Sequence, residues 1–325
     1  MKVCVFGAGA VGGHIAVKLL AARAADVSVV ARGAWLDAIV SRGITLRSGG
    51  TEISAKPEVA TDDPSRLPQQ DLVIVTLKTP GVPAAAASIA RLLAPRGSAL
   101  FLLNGIPWWW RHGLAGAHGP LPLVDPGGAL WEKLGPQRAL GGVIYSPNDP
   151  EAPGIINHIG AERFVIGEPD NSSSERLAAA VDLFKRAGLN GEASADLRRE
   201  IWRKLVSNAS GNPLTALTRL NMSELAVDPD LSALMAAVMS EVLGVAAVLG
   251  WDLRGEVDVE GLSTHVRLPD VRTSMQQDVA TGRPLEVEAQ LGQVQAFARE
   301  AGVPVPLIDV LLPLLRGLDR SARAR

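Results

Sequence analysis

The sequence predicts an α/β protein in which a doubly wound parallel sheet is followed by an all-α domain. Two patterns carry this prediction. In the first half of the chain, short apolar β-branched runs alternate with stretches of helical spacing. Beyond Asp196 almost every segment has helical spacing, with glycine and proline at the ends. A chain of 325 residues exceeds one typical core and is long enough for two domains.

The N-terminal half opens with a βαβ pattern: a strand over 2–6, a helix over 11–22 and a strand over 26–31. The alternation continues with further strands and helices at 35–41, 71–77, 82–93 and 98–103. Strands that are apolar throughout indicate a parallel sheet covered on both faces. Shorter strand patterns at 143–145, 155–158 and 163–166 suggest a strand-rich extension of the same domain.

A helix predicted over 176–187 closes the first domain, so we expect one domain over residues 1–195 and a helical domain over residues 196–325. Helices of the second domain are predicted over 197–210, 231–249, 286–300 and 306–318. Gly211 and Pro213 are expected to disturb the first of these helices, which would turn Asn212 toward a ligand.

Composition excludes several classes of protein. Apolar residues make up 47% of the chain, charged residues 20%, and the net charge is -2, so neither a nucleic acid nor a membrane is an expected partner. The apolar stretch 234–251 contains Ser240 and Glu241 and is predicted to be a buried helix, with a homodimer interface as an alternative. The single cysteine, Cys4, excludes a disulfide framework, and a cytoplasmic location fits best.

Three glycines, Gly7, Gly9 and Gly12, form a G-x-G-x-x-G pattern between the first strand and the first helix. The first glycine permits a tight turn, the second lets a pyrophosphate approach the backbone, and the third lets the helix pack on the strand. The first domain is therefore predicted to be a dinucleotide-binding Rossmann domain. Its contacts are predicted to come from Gly7, Ala8, Gly9, Ala10, Val11 and Gly12.

The residue after the second strand indicates which dinucleotide is bound. An acidic residue there would bind the ribose 2′-hydroxyl of NAD, whereas a basic residue accommodates the 2′-phosphate of NADP. This position holds Arg32, and no acidic residue occurs from Val27 to Ala34, so NADP(H) is the predicted cofactor. Lys78 directly follows the buried strand at 71–77 and is a further candidate for the same phosphate or for the ribose.

Several motifs resemble those of the ketopantoate reductase (2-dehydropantoate 2-reductase) family, and the resemblance extends over nearly the whole chain. The most specific match is residues 202–217, WRKLVSNASGNPLTAL. The other matching positions are the glycine motif at 7–13, Lys78, Asn104-Gly105, PGIINHIG at 153–160, Gly167-Glu168, SMQQD at 274–278 and GRPLE at 282–286.

The resemblance implies NADPH-dependent reduction of a 2-keto acid, ketopantoate first, as in pantothenate biosynthesis. It implies that Lys204 is the general acid and that Glu286 binds the substrate hydroxyl. The polar substrate contacts that it implies are Asn104, Asn208, Asn212 and Ser274, with Asn104 and Glu286 also near the cofactor. Two alternatives stay open: the same reaction on a different 2-keto acid, and a non-catalytic NADP-binding sensor.

Elementary chemistry supports the role of Lys204. Hydride transfer to a ketone places negative charge on the carbonyl oxygen, so a proton donor must be aimed at it in a site largely closed to water. A lysine that is partly desolvated has a lowered pKa and can act as an acid near neutral pH. Lys204 and Asn208 are four residues apart and should lie on one helical face.

The sequence also departs from the family's pattern. A tryptophan triplet, Trp108 to Trp110, follows Asn104-Gly105, where it could line the pocket, reshape it or cap the sheet edge. Leu291 occupies a position where the family has asparagine. His14 and His158 are isolated in the sequence, and no histidine spacing is typical of metal ligands, so no metal site is predicted.

Overall fold

A computed structural model describes residues 1–264 and 272–323, which form two compact units. The first unit comprises Met1–Leu77, Gly81–Leu103 and Trp108–Leu197. The second comprises Lys78–Pro80, Asn104–Pro107 and the described part of Arg198–Arg325. Two short segments from the first half of the chain therefore belong to the second unit.

The first unit contains two sheets built from strands along its whole length. The strands are β1 (Lys2–Phe6), β2 (Asp26–Val30), β3 (Ile44–Ser48), β4 (Thr51–Ala55), β5 (Val59–Thr61), β6 (Gln70–Val75), β7 (Leu93–Leu102), β8 (Ala139–Tyr145), β9 (Asn148–Ala152), β10 (Ile155–His158), β11 (Arg163–Gly167) and β12 (Gly191–Ala193). Its helices are α1 (Ala10–Ala21), α2 (Gly33–Arg42), α3 (Val82–Leu92), α4 (Ala129–Lys133) and α5 (Glu175–Arg186).

The main sheet has eight strands in the order β12-β11-β8-β7-β6-β1-β2-β5. All neighbours are parallel except β8 and β11, which agrees with the predicted parallel sheet. Phe6 pairs with both Val30 and Val75, so β1, β2 and β6 end at the same edge. In sheets of this kind, ligands bind outside the carboxyl ends of the strands.

A second sheet, of order β4-β3-β10-β9, was missed in the sequence except for β10. It begins with an antiparallel hairpin in which Ser48 pairs with Thr51 across Gly49 and Gly50. Both glycines have positive φ, 54° and 79°, as tight hairpin turns require. The Gly-Gly pair was the available signal, but the polar flanks of β3 and β4 obscured the strands.

The second unit is all-α in the part of the chain that the structure describes, as predicted. Its helices are α6 (Leu197–Thr218), α7 (Met222–Val227), α8 (Pro229–Val248), α9 (Val259–Thr264), α10 (Ser274–Ala280), α11 (Gln293–Ala301) and α12 (Pro306–Arg323), with a π-helical turn over Glu288–Gly292.

The expected disturbance of α6 at Pro213 was wrong, because the helix continues to Thr218. A proline inside a helix removes one backbone hydrogen bond and costs about 3 kcal/mol in an isolated helix. Here Leu214, Thr215 and Ala216 are all buried, and Thr215 Oγ1 donates to the carbonyl of Gly211 at 2.9 Å. The free energy gained by burying the last turns of α6 therefore outweighs the cost of a proline inside the helix.

Among the described residues, one helix, α8, is long and apolar enough to cross a membrane by length and composition, a test that core helices also pass.

Glu241 of α8 caps the start of another helix. The carboxylate accepts hydrogen bonds from the backbone N–H groups of Leu307 and Ile308, at 2.8 and 3.0 Å. Glu241 thereby caps the N-terminal end of α12, where the helix dipole also favours a negative charge.

We predict that Glu241→Ala lowers the free energy of unfolding by about 1–3 kcal/mol, because two backbone donors lose a charged acceptor. Urea unfolding of the full chain measures this change. The control is Glu58→Ala, at an exposed position, which should stay within about 0.5 kcal/mol of the unmodified protein. Equal effects of the two substitutions would contradict the capping role.

Candidate functional site

The glycine turn of the first unit is held in shape by the strand ends around it. The N–H of Gly7 donates to the carbonyl of Val30 at 2.9 Å, and the Thr76 hydroxyl donates to the carbonyl of Gly7 at 2.6 Å. Gly7 has φ of 104°, a conformation that side chains disfavour. A Cβ on Gly12 would overlap the Gly7 carbonyl oxygen and Thr76 Oγ1, so glycine is required there for the helix to approach the strand.

Gly9 behaves differently from its neighbours, because a Cβ at this position would meet nothing within 4 Å. Gly9 is the N-cap residue of α1, whose first turn contains no acidic residue and receives no side-chain cap from the described residues. The first N–H groups of a helix bind anions when nothing else satisfies them. At Gly9 and the first turn of α1 the backbone therefore has the open surface that a dinucleotide pyrophosphate needs.

Arg32 lies two residues beyond β2, at the edge where β1 and β6 also end. It is the N-cap residue of α2 and its side chain is exposed. No ion pair engages the guanidinium within residues 1–264 and 272–323. A guanidinium that is exposed and unpaired can bind a phosphate through two parallel hydrogen bonds.

A second group of polar residues lies in the second unit and centres on Glu286, which is 4% exposed. One carboxylate oxygen, Oε1, accepts from the backbone N–H and the hydroxyl of Thr79, at 3.0 and 2.9 Å. The other oxygen, Oε2, accepts from Asn104 Nδ2 at 3.2 Å. Because both oxygens are bound, the orientation of this buried carboxylate is fixed.

Asn104 connects Glu286 to Lys204. Its Nδ2 donates to the carboxylate, and its Oδ1 accepts from Lys204 Nζ at 2.8 Å. A carboxylate accepts and an ammonium donates, so only one orientation of the amide satisfies both neighbours. The sequence reasoning selected all three residues, and the structure brings them together in one hydrogen-bonded chain.

Gly105 shows how closely the backbone must pack to place Asn104. Its φ is 84°, and a Cβ there would overlap the backbone carbonyl of Ala289. The next residue, Ile106, donates its N–H to that carbonyl at 2.8 Å. The Asn-Gly pair therefore supplies an amide for the site and a residue small enough to dock on the π-helical turn.

The pKa of Lys204 is lowered from 10.5 to about 8. Burial is the main cause, since it disfavours the charged form of the amine, and the positive charge of Lys78 lowers the pKa further. The negative charge of Glu286 acts in the opposite direction. An amine with this pKa is mostly protonated at neutral pH and can still release its proton, which suits a general acid.

Lys78 has acidic partners in the second unit. Its Nζ lies 2.6 Å from Asp278 Oδ2 and 3.9 Å from Glu286 Oε2. Burial lowers the pKa of Lys78, but Glu286 and Asp278 outweigh that effect and the pKa is raised overall. Sequence reasoning missed Asp278 and Thr79, although Asp278 ends the SMQQD motif and Thr79 directly follows Lys78.

The other predicted substrate contacts lie on α6 and α10. Asn212 is buried, and its Nδ2 donates to Gln290 Oε1 at 2.9 Å, a partner that sequence reasoning missed. Asn208 and Ser274 are half-buried, and neither side chain forms a hydrogen bond within the described ranges. Ser274 begins α10 and lies four residues before Asp278, on the same helical face.

The two departures from the family pattern are both buried. Trp108, Trp109 and Trp110 are at most 2% exposed, and Trp108 packs edge-on against Phe101 with ring centroids 5.4 Å apart. Leu291 is fully buried in the π-helical turn. These contacts favour packing roles for the triplet and for Leu291.

Two family models match the chain. The model described as ketopantoate reductase PanE/ApbA matches residues 3–171, and its C-terminal counterpart matches residues 196–319. A curated relative from Mesorhizobium japonicum, named 2-dehydropantoate 2-reductase, is 39% identical, with 98% of each chain covered.

Solved structures agree in fold. A PanE/ApbA family ketopantoate reductase from Ralstonia eutropha JMP134 is 28% identical, with a TM-score of 0.82 over 99% of this chain and 100% of that one. D-mandelate dehydrogenase, solved with NADH and anilino(oxo)acetate, is 23% identical, with a TM-score of 0.81 over 99% of each chain. At that identity the second likeness shows the fold alone.

Proposed function

Because the chain belongs to the ketopantoate reductase family, we propose that it reduces 2-dehydropantoate (ketopantoate) to pantoate with NADPH, a step of pantothenate biosynthesis. One observation carries the proposal: a half-buried lysine with a pKa of about 8, hydrogen-bonded to an amide that Glu286 orients. Reduction of a ketone requires such a proton donor.

The cofactor would be held by residues 1–195, the predicted nucleotide domain. The open backbone at Gly9 and the uncapped start of α1 fit a pyrophosphate, and Arg32 fits a 2′-phosphate. Bound NADPH supplies the hydride for the reaction. We propose that Lys78, Asn104 and Glu286 complete its contacts, with Lys78 already charge-balanced by Asp278.

The catalytic work would fall to residues 196–325 together with Asn104. Lys204 donates a hydrogen bond to the keto oxygen and then transfers the proton from Nζ as the oxygen gains negative charge. Asn104 holds the ammonium in place through Oδ1. After the transfer the amine of Lys204 is neutral, and the negative charge on Glu286 favours its taking up the next proton from water.

Substrate recognition would use the polar groups around this chain. We propose that Glu286 accepts a hydrogen bond from the substrate hydroxyl. The side chains of Ser274 and Asn208, which form no hydrogen bond among the described residues, would contact the substrate's other polar groups. Asn212 is held by Gln290 and would contribute through its remaining amide oxygen. Each of these contacts needs a donor or acceptor of complementary type on the substrate.

Two other functions remain as outcomes of the test. The same chemistry could act on a bulkier 2-keto acid, or the chain could bind NADP without catalysis. A sensor has no need of a half-buried lysine whose pKa is lowered, which favours an enzyme. We further propose that the enzyme is cytoplasmic and that it forms a homodimer through the helical unit. The apolar side chains of Val310 and Leu314 on α12 are exposed there. Light scattering measures the mass of the particle in solution and so tests the homodimer.

We predict that Lys204→Met lowers kcat for ketopantoate reduction by about 10²- to 10⁴-fold, because the developing alkoxide loses its proton donor. NADPH oxidation is followed with ketopantoate and a panel of 2-keto acids, and NADPH binding is measured in the same variant. Binding should be retained. Lys56→Met, at an exposed lysine, is the matched control and should leave kcat unchanged.

Unchanged turnover in Lys204→Met would contradict the role of the lysine. Faster turnover of another 2-keto acid would change the substrate and keep the reaction. Tight NADPH binding with no turnover of any keto acid in the unmodified chain would support the sensor.

We predict that Arg32→Ala raises the KM for NADPH by about 10-fold or more and leaves the KM for NADH within about 2-fold, because only NADPH carries the 2′-phosphate. Steady-state kinetics with both cofactors measure the two constants. Arg66→Ala, at another exposed arginine, should change neither. A parallel loss with both cofactors would mean that Arg32 acts on the fold of the turn and not on the phosphate.

A further inference from the structure

A second cluster of chemically active side chains lies in the first unit. His14 comes from α1, His158 ends β10, and Glu162 directly precedes β11. One ligand atom from each residue lies within 4.8 Å of the other two. The sequence predicts no metal site because these residues are far apart in the chain, but folding brings both histidines and the carboxylate together.

The atoms that converge are those without hydrogen bonds. His14 Nε2, His158 Nε2 and Glu162 Oε2 are all buried, and none has a hydrogen-bond partner among residues 1–264 and 272–323. His14 Nε2 and Glu162 Oε2 are 2.9 Å apart, which is an ion pair when His14 is protonated, although the two atoms do not meet hydrogen-bond geometry. Buried polar atoms are rarely left without a hydrogen bond, so the convergence of these three atoms points to a shared partner.

The outer ring nitrogen of each histidine is already held. His14 Nδ1 lies 2.8 Å from Asn148 Oδ1, and His158 Nδ1 lies 2.9 Å from Ser48 Oγ. Asn148 Nδ2 donates to the Ser146 carbonyl and hydroxyl oxygens, which fixes the amide so that its oxygen faces His14. Second partners of this kind orient the histidines of metal sites.

This arrangement determines where the proton of His14 lies. Because Asn148 Oδ1 can only accept, His14 Nδ1 carries a proton, and in a neutral ring Nε2 then presents a lone pair. That lone pair faces the carboxylate oxygen of Glu162 at 2.9 Å, and two acceptors repel each other at this distance. A cation between them removes the repulsion, and His158 Nε2 offers it a third ligand.

We propose that His14, His158 and Glu162 bind a divalent transition-metal ion of the Zn²⁺ class, with a water molecule as the fourth ligand. Imidazole nitrogens with one carboxylate suit Zn²⁺ better than Mg²⁺ or Ca²⁺, which prefer oxygen ligands. Zinc–ligand bonds of about 2.0–2.2 Å place tetrahedral ligands about 3.3 Å apart. Because the three ligand atoms lie within 4.8 Å of one another, the widest pair must close by at most about 1.5 Å.

The surroundings set the affinity and the role of the site. Lys18 Nζ lies 3.9 Å from the other carboxylate oxygen, Glu162 Oε1, and weakens binding by repulsion, but it leaves Oε2 to the ion. The ion would tie α1 to the second sheet through β10. Since α1 begins at the glycine turn, the metal would stiffen the helix whose first N–H groups are proposed to bind the cofactor.

Metal-free full-length protein is titrated with Zn²⁺ by calorimetry and with Co²⁺ by visible absorption. We expect about one ion per chain, a Co²⁺ spectrum typical of a nitrogen-containing site, and no competition from Mg²⁺. Glu162→Gln and His158→Gln should each weaken Zn²⁺ binding at least about 10-fold. His118→Gln, at an exposed histidine, is the control and should bind as the unmodified protein does.

Thermal unfolding provides a second readout that does not depend on catalysis. Zn²⁺ should raise the Tm of the unmodified protein and of His118→Gln, and at the same concentration it should raise the Tm of Glu162→Gln by clearly less. If His158→Gln does not fold, the isosteric Glu162→Gln decides. No binding to the unmodified chain, or binding that neither substitution weakens, would overturn the proposal and leave the cluster as a protonated histidine paired with Glu162.

Discussion

The candidate site depends on the hydrogen bond between Lys204 and Asn104. A lysine ammonium removed from water loses hydration, and burial alone would favour the neutral amine. Asn104 Oδ1 gives the ammonium an acceptor at 2.8 Å, and Glu286 adds a negative charge that raises the pKa against burial. The balance leaves a pKa of about 8, at which Lys204 is charged near neutral pH and still a usable acid.

Backbone packing makes this hydrogen bond possible. The amide of Asn104 is oriented by Glu286, which is held by Thr79, and Asn104 is placed by the contact of Gly105 with the Ala289 carbonyl. The segments carrying Thr79 and Asn104 follow β6 and β7 along the chain, yet they belong to the compact unit that contains α6. Residues distant in sequence are thus brought into one rigid network.

Much of the architecture could be predicted from periodicity. The strand over Lys2–Phe6 and the helix at Val82 follow directly from apolar spacing and from proline near a helix start. The hairpin around Gly49 was missed because its two short strands, β3 and β4, carry several polar residues, and β4 lies at the edge of a four-stranded sheet. The prediction that α6 is disturbed at Pro213 was wrong because the end of α6 is decided by burial of the turn after Pro213, and not by the low helix propensity of proline.

The residues of the candidate site could be predicted only where they lie in sequence motifs that resemble those of the family. Lys204 and Glu286 were selected by resemblance, whereas nothing in the local pattern linked Thr79 to Glu286 or Gln290 to Asn212, since these pairs are set by tertiary contact. The convergence of His14 and His158 was hidden for the same reason. The separation of two residues along the chain does not predict whether the sheet and helix topology brings their side chains into contact.

The pH dependence of kcat/KM for ketopantoate reduction at saturating NADPH tests the central claim most directly. Lys204 must be protonated to act as the acid, and its pKa is lowered, so protonation is complete well below about 8 and is lost above it. We predict a plateau on the acid side of about pH 8 and a tenfold fall for each pH unit beyond it. A rate that stays constant up to the ordinary pKa of lysine, about 10.4, would contradict the account.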